Sequence, residues 1–121
     1  MQPGTIVLTR FPFTDLSSTK RRPALVLIQT DNEEPDTIVA FISSVVPAIL
    51  GSSDLLPDSR QPTFSDFGLN RPSVVMLEKL VTLQKSIFTG ELGRLSENLF
   101  VEVRKKLTIA LQLEKREKDQ L

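Results

Sequence analysis

Three consecutive cations, Lys20, Arg21 and Arg22, stand directly in front of the apolar run "PALVLI" in the stretch "RFPFTDLSSTKRRPALVLIQT", Arg10 to Thr30. A solvated loop tolerates such charges at no cost, whereas a binding site aims at least one of them at an anion. Phe11 and Phe13 flank Pro12 in the same loop and set aromatic surface beside the charge. The 15 basic and 15 acidic residues cancel, so a global attraction to nucleic acid is not indicated. The distribution says more than the sum. Residues 1 to 22 carry Arg10, Lys20, Arg21 and Arg22 against Asp15 alone, while 31 to 58 carry Asp31, Glu33, Glu34, Asp36, Asp54 and Asp58 with no cation. A local positive region on a neutral protein follows from this pattern.

Other chemistries are excluded by composition. The chain has no cysteine, which removes disulfides and thiolate metal sites, and no histidine, which leaves only carboxylates to bind a metal. No cofactor is expected. No apolar run approaches the roughly 20 residues a membrane span needs, and "MQPGTIV" has neither a basic n-region nor an h-region, so a cytoplasmic protein is expected. A chain of 121 residues, 40% hydrophobic and 25% charged, is expected to form one globular domain over 1–121 with its own core.

Short strands are expected to position these cations. "GTIVLTR" predicts a first strand at 5 to 10, with Ile6 and Leu8 facing one way and Val7 and Thr9 the other. Pro12 and "TDLSST" break it. Pro23 holds Arg22 extended and opens a second strand at 23 to 30, apolar on both faces and therefore central. "DNEEPD" is a polar turn into a third strand at 37 to 45. Residues 46 to 70, with Pro47, Gly51, Pro57, Pro62 and Gly68, read as a long irregular excursion holding one short strand near Ser53 to Leu56. Asp66 to Leu69 reads as a turn with an apolar plug. "RPSVVMLEKLVTL" repeats the Arg-Pro-strand arrangement, and "SIFTGELGRL" predicts one more short strand. Ser96 is the expected N-cap of a helix over 97–114. Its stripe of Leu99, Phe100, Val103, Leu107, Ala110 and Leu111 would lie on the sheet, with residues 114–121 fraying. The fold class is α+β, mostly β: a small SH3-like barrel closed by a C-terminal helix.

Taken in order, "GTIVLTRFPF", "RRPALVL", "TIVAFISS", "PSVVMLEKLVTL" and "GELGRLS" with a closing helix resemble the MazF/PemK (Kid-like) toxins of bacterial type II toxin–antitoxin pairs. The resemblance covers about residues 4 to 113. It implies a CcdB/MazF-type barrel, a homodimer, and a ribosome-independent endoribonuclease inhibited by a cognate acidic antitoxin. By the same resemblance, the catalytic arginine is Arg22, the catalytic hydroxyl at the end of the third strand is Ser43, and an acidic residue of the fourth-strand region is Glu78. The chain departs from the family pattern in lacking a first-loop histidine, at Met76, and at Val81 to Gln84. Those departures bear on sequence preference and activity.

The implied chemistry is metal-independent cleavage of single-stranded mRNA by attack of its own 2′-OH. An arginine suits the charge that develops at phosphorus, because its planar fork donates bidentate hydrogen bonds and stays protonated. Arg22 is either this group or a solvated strand-end charge, and Ser43 is either a second donor or a turn hydroxyl. Glu78 serves as base, reads a nucleobase edge, or pairs with Lys79 or Lys85. Lys20 and Arg21 supply phosphate attraction or are merely solvated. Phe11 and Phe13 stack RNA bases or pack in a core or dimer interface. A different function on the same fold is a non-catalytic interaction protein, either a gyrase-binding CcdB-like protein or a silent paralogue that binds an antitoxin. Retention of Arg22 with the Ser43 hydroxyl favours the nuclease.

Overall fold

The computed structural model describes residues 2–10, 21–57 and 66–114. Its elements are β1 (Thr5–Thr9), β2 (Arg22–Gln29), β3 (Asp36–Ser43), β4 (Asp54–Leu55), β5 (Val74–Gln84), β6 (Phe88–Arg94) and α1 (Glu97–Ala110), with a 3-10 turn at Lys85–Ile87 between β5 and β6. Every strand pairing is antiparallel. The spatial order is β4-β5-β3-β2-β1-β6, which makes β2 an interior strand as its two apolar faces require.

Period-two alternation splits the core between the two faces of the sheet. Ile6, Leu25, Ala40, Ile42, Val75 and Leu77 face one way, where Phe67, Phe100 and Val103 join them. Val7, Ala24, Val26, Val39 and Leu83 face the other way, covered in part by Phe41, Val81, Ile87 and Phe88. The predicted division of β1 into Ile6 and Val7 faces is the one observed.

The sheet is not closed into the predicted barrel: among the described residues β4 and β6 are its free edges. Bulges bend the sheet in place of closure. Three residues of β5, Leu77 to Lys79, are inserted where β3 passes from Ala40 to Phe41, so one long strand reads as two arms. Leu27 is a similar extra residue on β2.

The strand limits shift from the predicted ones for local reasons. β2 begins at Arg22 because that residue pairs with Thr9. Thr30 receives the Asp36 amide on its Oγ1 at 2.9 Å and closes the "DNEEPD" turn, so β3 starts at Asp36. β3 ends at Ser43, whose hydroxyl accepts the Val45 amide at 3.1 Å and turns the chain out of the ladder.

Ser96 caps α1 as expected, its hydroxyl accepting from the Leu99 amide at 3.3 Å. The helix packs over β5 and β4, burying Phe100 and Val103 with Leu99, Leu107 and Ala110 against the same cluster. It ends at Ala110, four residues before the predicted limit. Gln112 turns left-handed at φ 54°, and the Leu113 amide reaches back to the Thr108 carbonyl at 2.9 Å. This is a Schellman stop, and it leaves Leu111 half-exposed rather than in the core stripe. No described helix is long and apolar enough to cross a membrane.

Candidate nucleic-acid interface

At one end of the sheet β1 and β3 finish where β2 and β5 begin. Thr9 lies opposite Arg22, and Ser43 opposite Val74. The β2–β3 ladder ends here with Ala24 opposite Phe41, and Arg22 and Ser43 each lie two residues beyond that pair on the same two strands. Cross-strand partners share a face, so Arg22 and Ser43 lie on the side of Val7, Ala24 and Phe41, while Pro23, Ile42 and Ser44 belong to the helix side. Arg22 is exposed and Ser43 half-buried. The Ser43 oxygen accepts from the Val45 amide, and its own proton reaches only a long 3.5 Å contact with the Val45 carbonyl. That proton is available to a better acceptor.

Beside this pair a cleft of about 500 Å³ opens on the helix side. Leu8, Ile42, Leu69 and Leu92 give it an apolar floor, and Ser44, Asn70 and Ser73 add polar groups. Arg21, Arg22 and Arg71 bring its charge, and no carboxylate is among its described lining. No ion pair among the described residues engages these three arginines. A concave, one-signed surface of this kind concentrates anions.

The far wall is fixed by backbone contact. Gly68 has φ +71°, and a Cβ there would overlap the Leu92 carbonyl; a Cβ on Gly93 would overlap the Asp66 and Phe67 backbone. The 66–69 segment therefore lies flat on β6, and Phe67 plugs the core at 1% exposure, the apolar plug expected of this turn. From there the chain runs through Asn70 and Arg71 into β5. Pro72 holds Arg71 extended, and the Ser73 hydroxyl donates to the Arg71 carbonyl at 3.0 Å.

Of the residues singled out in the sequence, Arg21 and Arg22 line the cleft and Ser43 stands beside it on the opposite face. Glu78 is elsewhere. It sits in the β5 insertion, and its Oε2 accepts a 3.0 Å hydrogen bond from the Ser53 hydroxyl. Phe11, Phe13 and Lys20 lie outside the described residues. Sequence reading missed Arg71, Ser44 and Asn70. The repeated Arg-Pro was the available signal for Arg71, because both strands that begin with it start at this end of the sheet.

The chain is thus a small antiparallel sheet with one closing helix and, at one end, a cleft whose described lining includes three arginines. The chain belongs to the PemK-like, MazF-like toxin family of type II toxin–antitoxin systems, whose family model matches residues 2–111. Its fold is similar to that of an endoribonuclease in complex with its cognate antitoxin from a mycobacterial species, at TM-score 0.68 and 16% identity over 96% of this chain and 99% of that one. It is similar to the Mycobacterium tuberculosis toxin MazF-mt6, at TM-score 0.67 and 21% identity over 94% and 100%. It is also similar to MazF from Deinococcus radiodurans, at TM-score 0.62 and 20% identity over 91% and 94%. No curated protein matches the chain in sequence.

Proposed function

We propose that the protein is the toxin component of a type II toxin–antitoxin pair and acts in the cytoplasm as a metal-independent endoribonuclease on single-stranded mRNA. The observation that carries this reading is that Arg22 and Ser43 stand on neighbouring strands at one end of the sheet and on one face of it, an exposed arginine near a hydroxyl whose proton is weakly engaged. In the reaction, the ribose 2′-OH attacks the adjacent phosphorus and the bond to the 5′-oxygen breaks. The products are a 2′,3′-cyclic phosphate and a 5′-OH; the 2′ proton leaves to solvent and the departing oxygen takes one back. Arg22 donates its fork to the phosphorane oxygens, and Ser43 donates a third hydrogen bond. Preorganised donors of this kind contribute roughly 3 kcal/mol each to the transition state. Glu78, held at Ser53, is assigned no part in the step. Arg21 and Lys20 attract the phosphate chain, and Phe11 and Phe13 offer stacking surface.

The similar mycobacterial endoribonuclease is bound to its cognate antitoxin. Here an acidic antitoxin segment is the fitting inhibitor, because cations that attract RNA also attract carboxylates. The loop after β3 exposes Val45 at 80% and Ile49 at 88%, apolar surface that a second copy would cover in a homodimer. Residues 1–121 act as one domain.

Purified protein incubated with mixed-sequence RNA in EDTA tests the nuclease. Cutting that leaves cyclic phosphate ends, and that stops when one deoxyribose replaces the ribose at the cut, is the expected result. Metal-dependent cutting, or none, would move the balance to a non-catalytic interaction protein.

A further inference from the structure

The cleft is larger and more apolar than one phosphate requires. At about 500 Å³ it falls within the range of small-ligand sites. A floor of Leu8, Ile42, Leu69 and Leu92 offers a phosphate nothing, but it suits the face of a nucleobase. We propose that this cleft is a nucleotide subsite next to the scissile phosphate, in which Arg71 binds the phosphate of the neighbouring nucleotide while its base lies on the apolar floor. This rests on the RNA-cleaving reading above.

Three features support the assignment. First, Arg22 both lines the cleft and shares a face with Ser43, so it stands at the boundary between the cut site and the cleft. A strand bound at Arg22 on one side continues into the cleft on the other. Second, Arg71 lines the same cleft as Arg22, from a wall that cannot shift easily. Its backbone is held by Pro72, by the Ser73 hydroxyl, and by the close contact of Gly68 with Leu92. An arginine on a fixed backbone loses less freedom on binding and keeps the fork that matches phosphate. Third, Asn70 and Ser44 put amide and hydroxyl groups at the rim, the groups that read the edge of an unstacked base. The cleft at the opposite end of the sheet has a similar volume, about 530 Å³, but its described lining sets Glu34 and Asp36 against the single cation Lys85, with Pro35 the one apolar side chain.

The test is a methylphosphonate scan of a short RNA carrying one cut site, in which each linkage in turn is made neutral, comparing wild type with Arg71→Ala. The expected result for Arg71→Ala is a KM raised about tenfold with kcat within about threefold. The slope of log(kcat/KM) against log salt should become less steep by about 0.7 for the lost contact. Wild type should lose a similar factor when the linkage beside the cut is neutral, and Arg71→Ala should lose nothing further there. Arg71→Lys should keep the salt slope and recover part of the affinity. The same scan read as equilibrium binding, on RNA with a deoxyribose at the cut, keeps the outcome independent of cleavage. Binding of the all-ribose RNA without any cutting would overturn the nuclease and leave an RNA-binding site at Arg71 standing. Wild-type KM and salt slope in Arg71→Ala would overturn the subsite, as would a variant that stays as sensitive as wild type to the neutral linkage. A variant that handles RNA normally and loses only its antitoxin would overturn it too.

Discussion

The Ser53 hydroxyl donates a 3.0 Å hydrogen bond to Oε2 of Glu78. That contact holds the carboxylate toward β4, within the three-residue insertion Leu77 to Lys79, and Glu78 is not among the described lining of the cleft, which β1, β2, β3 and β6 share with residues 68–73. Glu78→Gln should therefore leave RNA cleavage within about threefold of wild type. Its cost in stability should be under about 1 kcal/mol, the scale of an exposed charged contact. Single-turnover rates and urea midpoints measure both. A rate loss as large as that expected for Arg22→Ala would return Glu78 to the catalytic set.

Gly68 carries the wall on which Arg71 stands. Alanine there would meet the Leu92 backbone in a left-handed conformation. The two effects together should destabilise the fold by about 2–4 kcal/mol. Gly90, on the same strand as Leu92, has open space where a methyl would project, with nothing within 4 Å, so Gly90→Ala should change stability by no more than about 0.5–1 kcal/mol. Urea denaturation of the pair separates close approach from a general intolerance of side chains. Equal losses would mean that Gly68 does not bear the wall.

Much of this arrangement was legible in the residues. Alternation in "TIVLT" assigned Ile6 and Val7 to different faces, Arg-Pro marked strand starts, and Ser96 marked the helix start, because each is a local rule acting over a few residues. The β5 insertion was not legible. "VVMLEKLVTL" reads as one unbroken strand, and only its pairing with β3 shows that Leu77 to Lys79 have no partners there. The helix end was missed because Leu111 continues the apolar stripe past Ala110, where the helix stops ahead of the left-handed Gln112. Arg71 was visible as a motif but not as a site. That it shares a cleft with Arg22 depends on β1, β2, β3 and β5 lining up at one end, which a local pattern does not encode.

Thr37 is 1% exposed on β3, and its hydroxyl has no hydrogen-bond partner among the described residues. A buried polar group without a partner costs stability, and valine keeps both the branched shape and the strand preference. Thr37→Val should stabilise the protein by about 1 kcal/mol, read as a higher urea midpoint with an unchanged slope. Destabilisation would show that the hydroxyl has a partner in solution.

Arg22, Ser43 and Ser44 offer the sharpest separation of catalysis from binding, because Ser43 ends β3 on the Arg22 face whereas Ser44, just past the strand, lines the cleft. Arg22→Ala should lose on the order of a hundredfold or more in rate, since it removes charge stabilisation from the transition state. Arg22→Lys should recover little, as a point charge does not reproduce the bidentate fork. Ser43 shares the Arg22 face, so Ser43→Ala should lose much of kcat while Ser43→Thr, which keeps the hydroxyl, retains it. Ser44 lines the cleft instead, and Ser44→Ala should act on KM and on which nucleotides flank the cut. Single-turnover rates at saturating RNA, set beside KM for each variant, distinguish the two hydroxyls. If Ser44→Ala lowers kcat and Ser43→Ala does not, the reacting phosphate lies in the cleft, and the catalytic hydroxyl is on the helix side of the sheet.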